Sequence, residues 1–220
     1  MIKINGKHSP PEQFQALNEE IYTVENRRHH SIEGLLQKLA VHTGRILKAI
    51  RKEDYKNIEY NLAMVWSWCM AIANVFDINV GEKMWEFFPG HCPYCLSAPC
   101  NCNKERPQER QKQTEIAKRE CPFTLAEYQV MFGIIYPNNP VNSGFHLAEE
   151  VIEVQEAVGV YSSTHSKEWF KKVEEELIDV LTNIFSVCNS LNYDLASIVA
   201  AYFENGCPAC QKQSANVAMS

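Results

Sequence analysis

The sequence predicts an all-α protein, a helical bundle made of two related repeats with a cysteine-rich, zinc-binding loop. Three observations lead there. Apolar residues recur at helical spacing through most of the 220 residues, and strand-like alternation is weak. Two long stretches of the chain resemble each other at a nearly constant offset. Short acidic motifs interrupt the apolar helical runs of the second stretch and have no counterpart in the first.

The elements follow in order. A first helix over 11–27 opens after Ser9-Pro10-Pro11, since proline suits a first helical turn. Helices over 31–51 and 54–76 come next, and a short one over 79–88 stops at Pro89-Gly90. The loop HCPYCLSAPCNC follows and closes a first repeat, 1–102. Residues 103–120 are polar and of mixed charge and read as a linker. The second repeat, 121–210, opens with Thr124 as the cap of a helix over 124–135, which ends before Pro137. Asn138-Asn139-Pro140 makes a turn, then come a helix over 143–158, a loop over 159–166 and a helix over 167–191. A last helix over 194–204 is closed by Asn205-Gly206, and 211–220 reads as a disordered tail.

The repeat is visible residue by residue. NVFDINVGEKMWEFFPGHCPYC aligns with NSLNYDLASIVAAYFENGCPAC at an offset of 115, so Asn74 falls on Asn189 and Phe88 on Phe203. Cys92 and Cys95 fall on Cys207 and Cys210. KLAVHTGRILKAI aligns with HLAEEVIEVQEAV at an offset of 108. His42 and Arg45 then stand where Glu150 and Glu153 stand, and Asn61 and Met64 where Glu176 and Asp179 stand. One half carries a carboxylate cluster and the other does not, which predicts one such site per chain.

Bulk properties exclude some classes. A net charge of −6 offers no basic footprint for nucleic acid. No apolar run reaches the length of a membrane span, and the start MIKINGKHSPPEQ lacks a signal-peptide pattern, so the expectation is a cytoplasmic protein. Nine cysteines suit a reducing compartment if several hold a metal.

Glu149-Glu150-x-x-Glu153 and Glu176-x-x-Asp179 carry the chemistry. Residues three or four apart share a helix face, so two packed helices would gather four or five carboxylates. Such a cluster repels itself unless cations enter it, and an all-oxygen set suits Mg2+ or Mn2+. Asp179 is the only charge within LIDVLTNIFSVCNSL, a run apolar nearly all round and therefore expected in the core, where a carboxylate needs a partner. Asn183 shares its face. No Glu-x-x-His pair occurs, which argues against a di-iron bundle.

Four thiols lie within eleven residues, Cys92-x-x-Cys95 and Cys100-x-Cys102. This spacing is that of a structural zinc knuckle. Two ligand sets stay open: the four loop cysteines alone, or the two CPxC turns, with Cys207 and Cys210, sharing one ion.

Residues 122–206 resemble the MazG-like domain of the all-α NTP pyrophosphatase superfamily. The likeness rests on TLAEYQ, HLAEEVIEVQEA, VEEELIDVLTNIFSVCNSL and the last helix ending in Asn205. It implies Mg2+-dependent cleavage of a nucleoside triphosphate to a monophosphate and pyrophosphate. Carried over, Glu150, Glu153, Glu176 and Asp179 would bind Mg2+. Glu149, with Glu150, would serve in catalysis by orienting or activating water, and Asn183 and Asn205 would contact substrate. Where many members carry a lysine four residues before that asparagine, this chain has Ala201, so phosphate contacts fall to Lys171, Lys172 or the first half. The resemblance also implies an intrachain pseudo-dimer whose degenerate first repeat turns Trp66, Trp68 and His42 towards the base. A homodimer is the further association it suggests. The rival expectations are a nucleotide-binding module without turnover and a zinc-stapled interaction protein.

Overall fold

The computed structural model describes residues 2–102, 110, 121–137 and 139–210. The expected linker, apart from Arg110, the tail at 211–220 and Asn138 lie outside the described residues. Among the described residues eight α-helices occur and no strand: α1 Pro11–His29, α2 Ile32–Lys52, α3 Tyr55–Val75, α4 Val80–Phe87, α5 Leu125–Ile135, α6 Pro140–Thr164, α7 Lys167–Ser190 and α8 Leu195–Phe203. A 3-10 turn at Gly6–His8 precedes α1.

Local chemistry sets the helix starts. Ser31, Asp54, Asn79, Thr124, Asn139, Ser166 and Asp194 each accept a hydrogen bond from the third residue of the helix they open. Each such cap is worth about 1 kcal/mol. Thr124 and Glu127 complete a reciprocal capping box. Both ends of one helix depart from the sequence reading of 143–158. α6 begins at Pro140 and runs to Thr164, so the segment expected as a loop over 159–166 is helical for most of its length. Gly159 weakens a helix in isolation, but Tyr161, two residues on, packs against Phe76 and Phe170 and holds the extra turn in place.

α2–α3 and α6–α7 form two helical hairpins. α2 packs on α6, and α3 on α7, to make the central bundle. The short helices exchange sides: α4 packs on α7 of the second half and α8 on α3 of the first. A single apolar core runs through both halves. Phe14, Trp66, Phe185 and Phe132 form a chain of ring contacts across it, at 6.5, 6.1 and 5.2 Å between centroids. Burial of such rings dominates the stability of a bundle. Gly144 lets α6 approach α2, since a Cβ there would sit 3.0 Å from Leu47 and 3.1 Å from Ile50.

The halves carry the same polar constellation. Gln15 bonds Asn74, the carbonyl of Ile78 and the amide of Val80. Gln129 makes the corresponding bonds to Asn189, the carbonyl of Tyr193 and the amide of Leu195. Asp77 and Asn192, at matching positions, both adopt left-handed backbone with φ of 53° and 57°. Tyr22 pairs with Phe203 and the Cys207 thiol, as Tyr136 pairs with Phe88 and the Cys92 thiol.

Candidate metal and substrate site

The acidic motifs converge where α6 meets α7. The buried positions Leu147, Val151, Val154 and Val158 define the inner face of α6. Glu150 and Glu153 flank that face and lean toward α7, where Glu176 is one turn before Asp179. Carboxylate oxygens of Glu150, Glu153 and Glu176 lie within 4.8 Å of one another. Opposite ligands of an octahedral Mg2+ are about 4.2 Å apart, so the three fit one divalent ion with room for water or substrate oxygens.

Glu176 is the decisive member. It is only 2% exposed, and its Oε2 is buried with no hydrogen-bond partner among the described residues when the neighbouring Glu153 is ionised. Its other oxygen is paired with the Lys172 ammonium. A buried carboxylate oxygen left bare is costly unless a ligand meets it. The electrostatics agree. Partial burial, then the negative charge of Glu176 and a hydrogen bond shared with it, push the Glu153 carboxyl up to about 7; Lys172 pulls it down and Asp179 adds a smaller upward push.

Asp179 is 8% exposed, as expected for a charge in the buried part of α7. Its Oδ2 is 2.6 Å from Nη2 of Arg110, a residue that sequence reasoning passed over inside the presumed linker. No motif marks it, and one arginine among several in a polar, mixed-charge segment gives no signal. Asn183 donates to the Asp179 carbonyl at 3.0 Å and lines the same cavity. This cavity of about 170 Å3 is bordered by Glu150, Asp179, Thr182 and Asn183 on one side. Phe88, Tyr94, Tyr136 and three cysteines of the loop border the other.

Other expected residues lie elsewhere, face away or are already paired. Glu149 points outward, 64% exposed at its side chain, and pairs with His146 at 3.0 Å. Asn205 is exposed and is not among the residues lining the cavity. Lys172 is at the cluster, but as the counter-ion of Glu176; Lys171 pairs with Glu175 at 3.5 Å. Trp66 is 1% exposed in the core between Phe14 and Phe185, and Trp68 packs on His30. His42 is buried, with Nδ1 2.8 Å from Asn61. Instead of the acidic pair, the first half has a cleft lined by Arg45, Lys48, Lys52, Asn57 and Asn61.

The loop after α4 brings its four cysteines together. Cys92, Cys95, Cys100 and Cys102 can each offer sulfur within a 4.8 Å sphere of mutual distances. The Cys92–Cys102 and Cys95–Cys100 sulfurs are 3.6 and 3.9 Å apart. Tetrahedral Zn–S bonds of 2.3 Å require about 3.8 Å between sulfurs. Amides of Asn101 and Cys102 point at the sulfurs of Cys95 and Cys100 at 3.3 and 3.4 Å. Burial works to raise the Cys95 thiol, but hydrogen bonds from Ser97 and the Asn101 amide bring it down to about 6, while Cys100 and Cys102 are pushed up, chiefly by burial. All nine cysteines are free thiols. Of the two ligand sets left open by sequence, the four loop cysteines are the set that assembles; Cys207 and Cys210 join no group of three or more candidate ligands among the described residues. Bonding of the Cys100 amide to the Ile135 carbonyl, at 2.7 Å, fixes the loop to the end of α5. The first half thereby builds a wall of the cavity in the second.

No protein-family model, curated protein or solved structure matches this chain. No single helix among the described residues is long and apolar enough to cross a membrane.

Proposed function

We propose that the protein is a Mg2+-dependent nucleoside triphosphate pyrophosphohydrolase, built as an intrachain pseudo-dimer of two MazG-like repeats, the second of them catalytic. The observation that carries the reading is the buried Glu176 oxygen that meets no donor group among the described residues once Glu153 is ionised, beside Glu150 and Glu153. Such an all-carboxylate site favours Mg2+ or Mn2+ over softer metals. The matching hydrogen-bond sets of Gln15 and Gln129 support the tandem repeat.

Glu150, Glu153 and Glu176 would hold the cation, with Asp179 at the cavity side of the cluster. When bound, the cation neutralises the phosphate chain and lowers the pKa of a water. In the proposed reaction a water oxygen bonds to the α-phosphorus and the bond from that phosphorus to the bridging oxygen breaks. The electron pair leaves with pyrophosphate, and a proton of the water passes to a site carboxylate. Asn183 and Thr182 line the cavity where substrate oxygens would sit, and Phe88, Tyr94 and Tyr136 offer flat apolar surface to a base. Glu149, turned to His146, has no part in this scheme. The four loop cysteines fit a structural Zn2+, a closed site without an open position for chemistry.

Hydrolysis in 18O-labelled water tests the reading across a panel of ribo- and deoxyribonucleoside triphosphates. The expected products are pyrophosphate and a monophosphate carrying the label. A diphosphate with labelled inorganic phosphate would contradict it. Tight Mg2+–nucleotide binding without turnover would replace the enzyme with a binding module.

A further inference from the structure

Arg110 stands apart from every residue assigned above. Its guanidinium lies 2.6 Å from Asp179 Oδ2 and 3.9 Å from Glu175. It is flanked by the rings of Phe87, Phe88 and Tyr94, with centroids 5.2, 5.3 and 5.6 Å away. Its side chain is 15% exposed. Nη1 is buried and has no hydrogen-bond partner among the described residues. A purely structural arginine at this depth would be expected to satisfy its whole fork. Here one arm holds a carboxylate of the acidic site and the other is bare; Arg110 does not itself line the cavity, but it packs on Phe88, Tyr94 and Asp179, which do.

The chemistry of the fork suggests what completes it. A guanidinium is planar and permanently charged, and it matches two oxygens of a phosphate group. A cation ligated by the neighbouring carboxylates would draw on the charge of Asp179 and weaken its hold on Arg110. A phosphate chain arriving with that cation carries the anionic oxygens that both arms could take. The aromatic faces would keep the guanidinium in place while its partner changes.

We infer that Arg110 is a substrate-binding residue of this site, which pairs with Asp179 in the metal-free protein and with the β- or γ-phosphate of the metal-bound triphosphate. The inference rests on the proposed nucleotide site. It assigns to a single side chain outside both repeats the phosphate contact that Lys171 and Lys172, engaged with Glu175 and Glu176, do not supply.

The test uses the full chain with Arg110→Ala and Arg110→Lys. Two affinities are measured by calorimetry: Mn2+ alone, and the α,β-methylene analogue of a triphosphate with Mg2+ present. Arg110→Ala is expected to bind Mn2+ about three- to tenfold more tightly, because a competing cation has gone. It is expected to bind the analogue about 10- to 100-fold more weakly, the loss of a charge-assisted hydrogen bond. Arg110→Lys, which keeps the charge, should recover part of the analogue affinity. Equal analogue binding by wild type and Arg110→Ala would overturn the inference and leave the nucleotide site standing. Failure of wild type to bind any triphosphate analogue would overturn both. Should Arg110→Ala melt early, Arg110→Gln, which keeps most of the packing, carries the same comparison.

Discussion

At the scale of single residues, three carboxylates near one another and one bare buried oxygen define the account. Glu153 titrates near 7 in the metal-free chain, above its ordinary value of 4.5. The folded chain therefore holds a proton there that the unfolded chain has already released, so Glu153 favours folding at low pH. That contribution is lost as pH rises from about 4.5 through 7. In EDTA, the urea midpoint should fall between pH 5 and pH 8, the fall should be smaller in Glu153→Gln, and Mg2+ should restore the midpoint at pH 8. An identical pH dependence in the variant would contradict this placement. Glu149→Gln should leave the rate of pyrophosphate release within about twofold of wild type, as expected for a solvated surface group; a loss of a hundredfold would return Glu149 to the chemistry. The acid motifs were legible as motifs because two carboxylates three apart in an apolar run are conspicuous. Their division of labour was not, since Glu149 and Glu150 differ by only 100° on the helix and the inner face of α6 is decided by which valines α2 and α7 cover. Arg110 had no sequence signature at all, because its role arises from a contact between residues 69 apart.

At the scale of elements, capping and hydrophobic period made the helices readable, and the starts of α2, α3, α5, α7 and α8 fall within a residue of expectation. The end of α6 did not, because the helix there is held by tertiary ring contacts of Tyr161 that override a local glycine. Gln15 and Gln129 are the polar joints that lock α1 and α5 to the turns before α4 and α8. Replacing either with alanine leaves partly buried partners unmet and should cost about 1–3 kcal/mol in urea unfolding. Equal stability of both variants and wild type would show that water replaces these bonds. The cysteine loop is the other readable element: its spacing announced a tetrahedral site, and its sulfur separations fit one. Purified protein should release one Zn2+ per chain when its thiols are blocked. Cys95→Ser should lower the melting temperature and raise KM for nucleotide, because the loop forms a cavity wall. A metal-free, fully stable protein would remove zinc from the account.

At the scale of the whole molecule, the repeat could be seen in the sequence, but the crossing of α4 onto α7 and α8 onto α3 could not. That exchange depends on how the halves dock, and docking turns on small details such as Gly144. A valine at that position would drive a side chain into Leu47 and Ile50 and should destabilise the α2–α6 joint by about 1–3 kcal/mol. The docking is also what places the cysteine loop of one half against the carboxylates of the other, so that a first half without the acidic motifs still contributes to the site. The most direct test of the central claim is pyrophosphate release from triphosphates, titrated with Mg2+, for wild type and Glu176→Gln side by side. Wild type should release pyrophosphate at a rate that saturates with Mg2+, and the variant should lose at least about a thousandfold while its fold persists. Mg2+-independent release, or a Glu176→Gln protein as active as wild type, would contradict it.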